Sequence, residues 1–152
     1  MIKNEEVLKI QKSWADNIIL LGSLKDKRSE CEHQATKFIE LHYAYEFTNV
    51  LFKPTKAKEH PFRFTKDATL SYFIGGNNDY PEDLGFALTP WKSIHFDNKK
   101  IIYEQERATS MGHYYFTDFT NTEIKAEVTF GYIRSGEGNL KINLHHSSIP
   151  YF

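Results

Sequence analysis

The sequence contains 152 residues, with 19 Lys and Arg against 20 Asp and Glu, which leaves a formal charge of −1 at pH 7. A chain of this length with 40% hydrophobic residues has enough apolar material for one packed domain, and we expect a single domain over residues 1–152. The nearly neutral charge provides no field that would draw the chain to nucleic acid or to an anionic membrane, so we expect neither as a partner. A single cysteine, Cys31, excludes an intramolecular disulfide and a cysteine-based zinc cluster.

The N-terminus lacks the basic segment, apolar stretch and small-residue cleavage site of a secretory signal. No apolar run approaches the roughly 18 residues that a membrane-spanning helix needs. We therefore expect a soluble, cytoplasmic protein. A targeting segment that had already been removed would leave the same pattern.

Two amphipathic helices are predicted in the first 46 residues. Apolar side chains recur at spacings of three and four, which predicts one helix from about Glu5 to Leu21 and another from Leu24 to Tyr45. Gly22 and Ser23 separate the two. Because both helices are amphipathic, each needs a surface to cover.

After Phe47 the hydrophobic pattern changes to a period of two, which is typical of strands with one apolar face. Strands are predicted at 70–74, 108–119, 124–134 and 140–144, with turn signals at 75–79, 97–98, 118–121 and 135–138. Short turns join antiparallel neighbours. The order of elements predicts an α+β domain in which N-terminal helices pack on one face of a strongly curved antiparallel sheet.

The densest polar cluster is His-His-Ser-Ser at 145–148. Adjacent residues of a regular strand point to opposite faces, so the two histidines cannot hold one metal ion. The period of the apolar residues 140, 142 and 144 places His146 and Ser148 on the buried face, and His145 and Ser147 then face outward. Either these buried groups are satisfied at the rim of the core or they line a pocket, because unpaired buried polar groups are costly.

Other polar candidates are few. Tyr72 lies on the apolar face of a predicted strand and needs a partner for its hydroxyl, and Thr55 either lines a pocket or is an ordinary strand-end threonine. We interpret residues 113–115 as aromatic side chains of the sheet. The sequence contains no phosphate-binding loop, nucleophile elbow, paired-histidine helix or Rossmann fingerprint.

An ordered set of short motifs supports a more specific hypothesis. The motifs are LFKPT at 51–55, SYFIGG at 71–76, GFA at 85–87, YFTD at 115–118, TFGY at 129–132 and HHSSIP at 145–150. Two or three N-terminal helices, a bent antiparallel sheet and the closing HHSSIP resemble the nuclear transport factor 2-like superfamily near the calmodulin-dependent kinase association domains. Within it the chain is most similar to the metal-independent branch of the iota-class carbonic anhydrases.

The resemblance implies a cone-shaped fold and reversible hydration of CO2 to bicarbonate, without a metal or other cofactor, in a pocket between the sheet and the helices. In that family a threonine, a tyrosine and a serine of the closing motif hold the substrate. The matching positions are Thr55, Tyr72 and Ser148, with Ser147 as the alternative serine. His146, the inward-facing imidazole of the strand pattern, is the expected proton acceptor because an imidazole titrates near neutral pH.

Two other functions stay open at this point. One is a small-ligand-binding or assembly module of the same fold, since fold does not determine function. The other is a metal-dependent hydratase of the same class. We expect CO2 and bicarbonate as ligands and a second copy of the chain as partner, in a homodimer formed through the outer sheet face around Met111, His113 and Tyr115.

Overall fold

A computed structural model describes all 152 residues as three α-helices, two short 3-10 turns and five β-strands. The helices are α1 (Asn4–Ser23), α2 (Arg28–His42) and α3 (Lys66–Ile74). The strands are β1 (Leu51–Lys53), β2 (Trp91–Tyr103), β3 (Arg107–Asp118), β4 (Glu123–Arg134) and β5 (Leu140–Ser148). They form one sheet in the order β1-β5-β4-β3-β2. None of the helices combines the length and the hydrophobicity that a membrane span requires.

The α+β class is confirmed, with the helices packed on one face of the sheet. Helix α1 contacts β2 and β5, and α2 contacts β5, so the apolar stripes predicted for both helices cover the sheet. A core of 29 buried residues fills the space between these layers. Trp14 lies in this core, with its ring centroid 5.8 Å from that of Tyr114. The helix patterns therefore predict the layering correctly.

The sheet is mixed, whereas an entirely antiparallel sheet was predicted. Strands β2 to β5 are antiparallel neighbours, but β1 pairs in parallel with β5. At three residues, β1 is too short to show a period of two. The parallel pairing places the segment after β1 beside the end of β5.

The predicted strand at 70–74 is wrong, because these residues belong to helix α3. The helix begins after Thr65, whose side chain accepts a hydrogen bond from the backbone N–H of Ala68 at 3.1 Å. It ends at Gly75, whose φ of 65° suits glycine. Most of its side chains are buried. Because the buried residues include the polar Thr69 and Ser71, the helix has no apolar stripe with a helical period, and its alternation of apolar and polar residues imitates that of a strand.

The predicted turn at 97–98 is also wrong, because β2 continues through it with a bulge between Asn98 and Lys100. Gly112 lies on the partner strand at this point. A Cβ atom there would lie 2.2 Å from the carbonyl oxygen of Asp97, so only glycine permits the close approach. The residues typical of turns therefore mark an irregularity within a strand.

Candidate active site

A buried group of hydroxyls joins the end of β1 to β3 and β5. The Thr55 Oγ1 lies 2.5 Å from the Ser147 Oγ. The Tyr114 hydroxyl donates to the same Ser147 oxygen at 2.6 Å and lies 3.4 Å from Thr55 Oγ1. Ser147 and Tyr114 are buried and Thr55 is partly exposed. We call these three side chains the hydroxyl triad.

Strand pairing brings the triad together. Lys53 is opposite His146 in the parallel pair, and its Nζ donates to the carbonyl oxygen of Ser147 at 2.9 Å, which ties the two strands at this point. Tyr114 on β3 reaches Ser147 on β5 across β4. The residue opposite Tyr114 on β4 is Ala126, whose methyl group leaves room for the phenol ring to pass.

His145 extends the hydrogen bonds of the triad into the core. Its Nε2 lies 3.2 Å from the Tyr114 hydroxyl, and its Nδ1 lies 2.8 Å from the Tyr43 hydroxyl. The Trp14 indole N–H donates to that Tyr43 oxygen at 3.2 Å. The Phe130 ring lies 4.2 Å from the imidazole, centroid to centroid. The imidazole is thus enclosed by apolar and aromatic groups, with both nitrogens paired.

Tyr72 lies beside the triad and lines a pocket. Its hydroxyl accepts a hydrogen bond from the backbone N–H of Lys56, the residue after Thr55, at 3.2 Å. The pocket has a volume of about 250 Å³ and is lined by Lys56, Tyr72, Phe86 and Thr89 together with residues 82–85. Its size suits a small molecule.

The phenol and imidazole groups of the site are uncharged near neutral pH. Burial raises the pKa of Tyr114 to about 12, although hydrogen bonds with Ser147 and Thr55 oppose this shift. Burial also raises the pKa of Tyr72 well above its ordinary value, and it lowers the pKa of His145 well below that of a free imidazole. The phenols therefore keep their protons and the imidazole stays neutral.

The segment between β1 and α3, residues 54–65, is anchored to the wall of the pocket. The guanidinium of Arg63 is buried and donates to both carboxylate oxygens of Asp83, at 2.7 and 2.8 Å. Glu82 accepts hydrogen bonds from the backbone N–H groups of residues 58–60. Charge-assisted bonds of this kind give a loop a defined geometry, which preorganises the start of the segment at the triad.

The side chains offer no evident place for a metal ion. No group of three or more His, Cys, Asp or Glu side chains lies together in an arrangement that could hold one. Both ring nitrogens of His145 are already paired. The groups that converge are hydroxyls, which can donate hydrogen bonds to the oxygen atoms of a neutral molecule or an anion.

The predicted orientation of the 145–148 cluster is wrong. His145 and Ser147 are buried, whereas His146 is exposed and Ser148 is half-buried on the opposite face. The cause is a bulge in β5, where Tyr132 is opposite Ile142 but the preceding Gly131 is opposite Leu144. The extra residue, Asn143, reverses the alternation of all the residues that follow it.

The structure therefore brings together Thr55, Tyr72 and Ser147 of the predicted site residues. It places His146 and Ser148 on the outer face, in a cleft of about 430 Å³ that also contains Met111 and His113.

Sequence reasoning missed Tyr114 and His145, together with Trp14 and Tyr43, which complete the hydrogen-bonded chain. A signal for Tyr114 was available. Tyr114 shares the parity of Ala108 and Phe116 in the predicted strand, and the structure buries all three, so the period of two would have placed Tyr114 with them on the inner face. No such signal exists for His145, because the bulge hides its orientation.

Comparison with known proteins identifies the family of this chain. The family model for metal-independent carbonic anhydrases matches residues 5–149. A metal-independent carbonic anhydrase of Nostoc sp. strain PCC 7120 is 35% identical over 153 residues, which cover 99% of this chain and 75% of the Nostoc protein.

Solved structures show the same relationship. The crystal structure of a cyanobacterial iota-carbonic anhydrase in complex with bicarbonate superposes with a TM-score of 0.95 at 35% identity, covering 99% of this chain and 94% of the other. A calcium/calmodulin-dependent kinase II association domain from Xanthomonas campestris has a TM-score of 0.65 at 19% identity, covering 99% and 89%. An NTF2-like protein from Pseudomonas putida has a TM-score of 0.56 at 14% identity, covering 97% and 87%. The last two matches confirm the nuclear transport factor 2-like fold. Because a family model and a 35% identical relative both match nearly the whole sequence, the chain belongs to the metal-independent carbonic anhydrase family.

Proposed function

We propose that this chain catalyses the reversible hydration of CO2 to bicarbonate without a metal ion, in the pocket beside Tyr72. The observation that carries the proposal is the hydroxyl triad, in which three uncharged hydroxyl groups converge beside a small pocket. The bicarbonate complex of the 35% identical cyanobacterial enzyme supports this assignment.

In the proposed site Thr55, Tyr72, Tyr114 and Ser147 hold the substrate. The Thr55 and Tyr72 hydroxyls donate hydrogen bonds to the oxygens of CO2 and bicarbonate, and the Ser147 and Tyr114 oxygens accept from the hydroxyl of bicarbonate. The ring of Phe86, stacked 5.5 Å from that of Tyr72, provides an apolar wall for uncharged CO2. Donors that are already oriented stabilise charge as it develops on the substrate, without reorganisation during the reaction.

Neutral hydroxyls can also carry the proton transfer. The oxygen of a bound water forms a bond to the carbon of CO2 and passes one hydrogen to a hydroxyl oxygen of the site. That hydroxyl passes its own hydrogen to an oxygen of CO2, since a hydroxyl is both donor and acceptor. The product is carbonic acid, which releases its proton to solvent to become bicarbonate. The route needs no charged base, in agreement with the raised pKa of Tyr114 and the lowered pKa of His145.

This route replaces His146 as the predicted proton acceptor, because that side chain lies on the opposite face of the sheet. It also implies modest catalysis. Zinc lowers the pKa of a bound water to about 7, far below that of free water, and the hydroxyls of this site cannot match that effect.

The two neighbouring serines provide the test. Stopped-flow CO2 hydration is measured on chelator-treated wild type, Ser147→Ala and Ser148→Ala. We expect wild type to keep its activity, Ser147→Ala to lose about 100-fold in kcat/KM, and Ser148→Ala to stay within about twofold because its side chain is on the outer face. Chelated wild type that only matches the uncatalysed rate contradicts the proposal, and so do serine variants that are equally impaired.

We also propose that the chain forms a homodimer through the outer face of the sheet. Met111 is 61% exposed in the middle of this face, beside the partly buried His113 and Tyr115. A second copy that covers this face would remove the Met111 side chain from water.

A further inference from the structure

A series of hydrogen bonds leads from Trp14 to Thr55, and the first of them can run in only one direction from donor to acceptor. An indole N–H can only donate, whereas hydroxyls and imidazoles can either donate or accept. The Trp14 N–H donates to the Tyr43 hydroxyl oxygen at 3.2 Å. The direction of every later bond in the chain depends on this first one.

The bond from Trp14 determines the direction of the bond between Tyr43 and His145. The Tyr43 hydroxyl is fully buried, and its only partners are Trp14 and the Nδ1 of His145, 2.8 Å away. If Nδ1 carried a hydrogen and donated it to Tyr43, the hydroxyl hydrogen of Tyr43 would be buried without an acceptor, which is costly. Tyr43 therefore donates, and Nδ1 accepts.

The tautomer of His145 determines the direction of the hydrogen bonds in the hydroxyl triad. Its imidazole is enclosed in the core and neutral, so a bare Nδ1 means that the ring hydrogen is on Nε2, which faces the Tyr114 oxygen at 3.2 Å. Tyr114 then donates to Ser147 at 2.6 Å, and Ser147 donates to Thr55 at 2.5 Å. The Thr55 hydrogen is left without a strong acceptor in the protein, because the Tyr114 oxygen lies 3.4 Å away and the Tyr72 hydroxyl is the other neighbour.

We propose that Trp14, Tyr43 and His145 are positioning residues that orient all the hydrogen bonds from Trp14 to Thr55 in one direction, so that the site presents the Thr55 hydrogen to a substrate oxygen. The inference rests on the proposed function, because the oriented donor serves CO2 hydration. None of the three lines the pocket beside Tyr72. They act by determining which hydroxyl of the triad donates and which accepts. Hydrogen bonds aligned head to tail also strengthen one another.

The tautomer of His145 tests the direction without reference to activity. Long-range 1H–15N correlation spectra of 15N-labelled wild type should show His145 with a protonated Nε2 and an unprotonated Nδ1. In Tyr43→Phe the Nδ1 atom has no hydrogen-bond partner in either tautomer, so the wild-type preference for Nε2–H is lost. The Nδ1–H tautomer should then become populated. In stopped-flow assays the same variant should lose about tenfold in kcat with KM within about twofold, since the donors are misoriented while the pocket is intact.

Tyr132→Phe is the matched control. The Tyr132 hydroxyl is equally buried, but its hydrogen bonds are with Gln11 and Ser110, which do not belong to the series from Trp14 to Thr55. It should keep both the wild-type His145 spectrum and the wild-type kcat.

An Nδ1–H tautomer in wild type overturns the inference, as does unchanged kcat in folded Tyr43→Phe. If Tyr43→Phe does not fold, the wild-type spectrum alone decides. A wild type that has no hydratase activity but shows the Nε2–H tautomer contradicts the proposed function and supports the inferred direction of the hydrogen bonds.

Discussion

Burial keeps two histidines of this protein in the neutral form. His42 on α2 is buried beside the core, with its Nδ1 2.8 Å from the carbonyl oxygen of Phe38 and its Nε2 2.8 Å from the Ser13 hydroxyl. Because the carbonyl can only accept, Nδ1 carries the hydrogen and Nε2 accepts from Ser13. Burial lowers the pKa of His42 to about 4. Like His145, it is held as the neutral imidazole.

This shift predicts a pH dependence of stability. The unfolded chain binds a proton at His42 below about pH 6.5 and the folded chain only below about 4, so the native state is favoured above 6.5 and loses stability as the pH falls between these values. We expect a loss of about 3 kcal/mol from this group by pH 4. Urea unfolding at a series of pH values measures it. His42→Gln should have a shallower slope over this range, and an unchanged slope contradicts the assignment.

At the level of elements, the bulge in β5 decides which face of the sheet carries the site. Gly131 is opposite the bulge, and a Cβ atom there would lie 2.8 Å from the Leu144 Cβ and 2.9 Å from the Asn143 Oδ1. The close approach of the two strands therefore depends on glycine. Leu144 is adjacent to His145, so the geometry of the bulge is connected to the site.

Gly131→Ala should consequently strain the bulge. We expect a loss of about 1 to 3 kcal/mol in the free energy of unfolding, the usual cost of overpacking, together with reduced CO2 hydration. Gly136→Ala is the control, because a Cβ atom there meets nothing within 4 Å in the turn between β4 and β5. Urea unfolding compares the two variants, and equal stabilities would show that the bulge does not need glycine.

At the level of the whole molecule, the two faces of the sheet have different roles. The inner face carries the core and the hydroxyl triad, whereas the outer face carries Met111, His113 and the side chains of His146 and Ser148. The motif at 145–148 thus contributes residues to both faces. This division separates the proposed site from the proposed dimer interface.

A charge at the centre of the outer face should disrupt the dimer. We expect wild type to sediment as a dimer at micromolar concentration and Met111→Glu to shift towards monomer, since an unpaired charge at an interface is costly to desolvate. Leu8→Glu, at a 46% exposed position of α1, should leave the dimer intact. Analytical ultracentrifugation separates these outcomes, and a monomeric wild type removes the proposal.

Patterns of sequence determined the class of fold, the packing of α1 and α2, the β3–β4–β5 meander and the family, and they identified Thr55 and Tyr72 as site candidates. These features depend on local periodicity and on short motifs, both of which are written in consecutive residues. The same local logic failed for α3, where burial on most sides removed the helical period. It also failed at 97–98, where turn residues mark a bulge.

Only the tertiary structure decided which residues of the closing motif face inward. One extra residue, Asn143, reverses a strand's alternation, and its position depends on pairing with β4 rather than on the sequence of β5 itself. Tyr43, Tyr114 and Trp14 likewise join the site through contacts between residues that are far apart along the chain. Such contacts depend on how the elements pack, so periodicity along the chain does not reveal them.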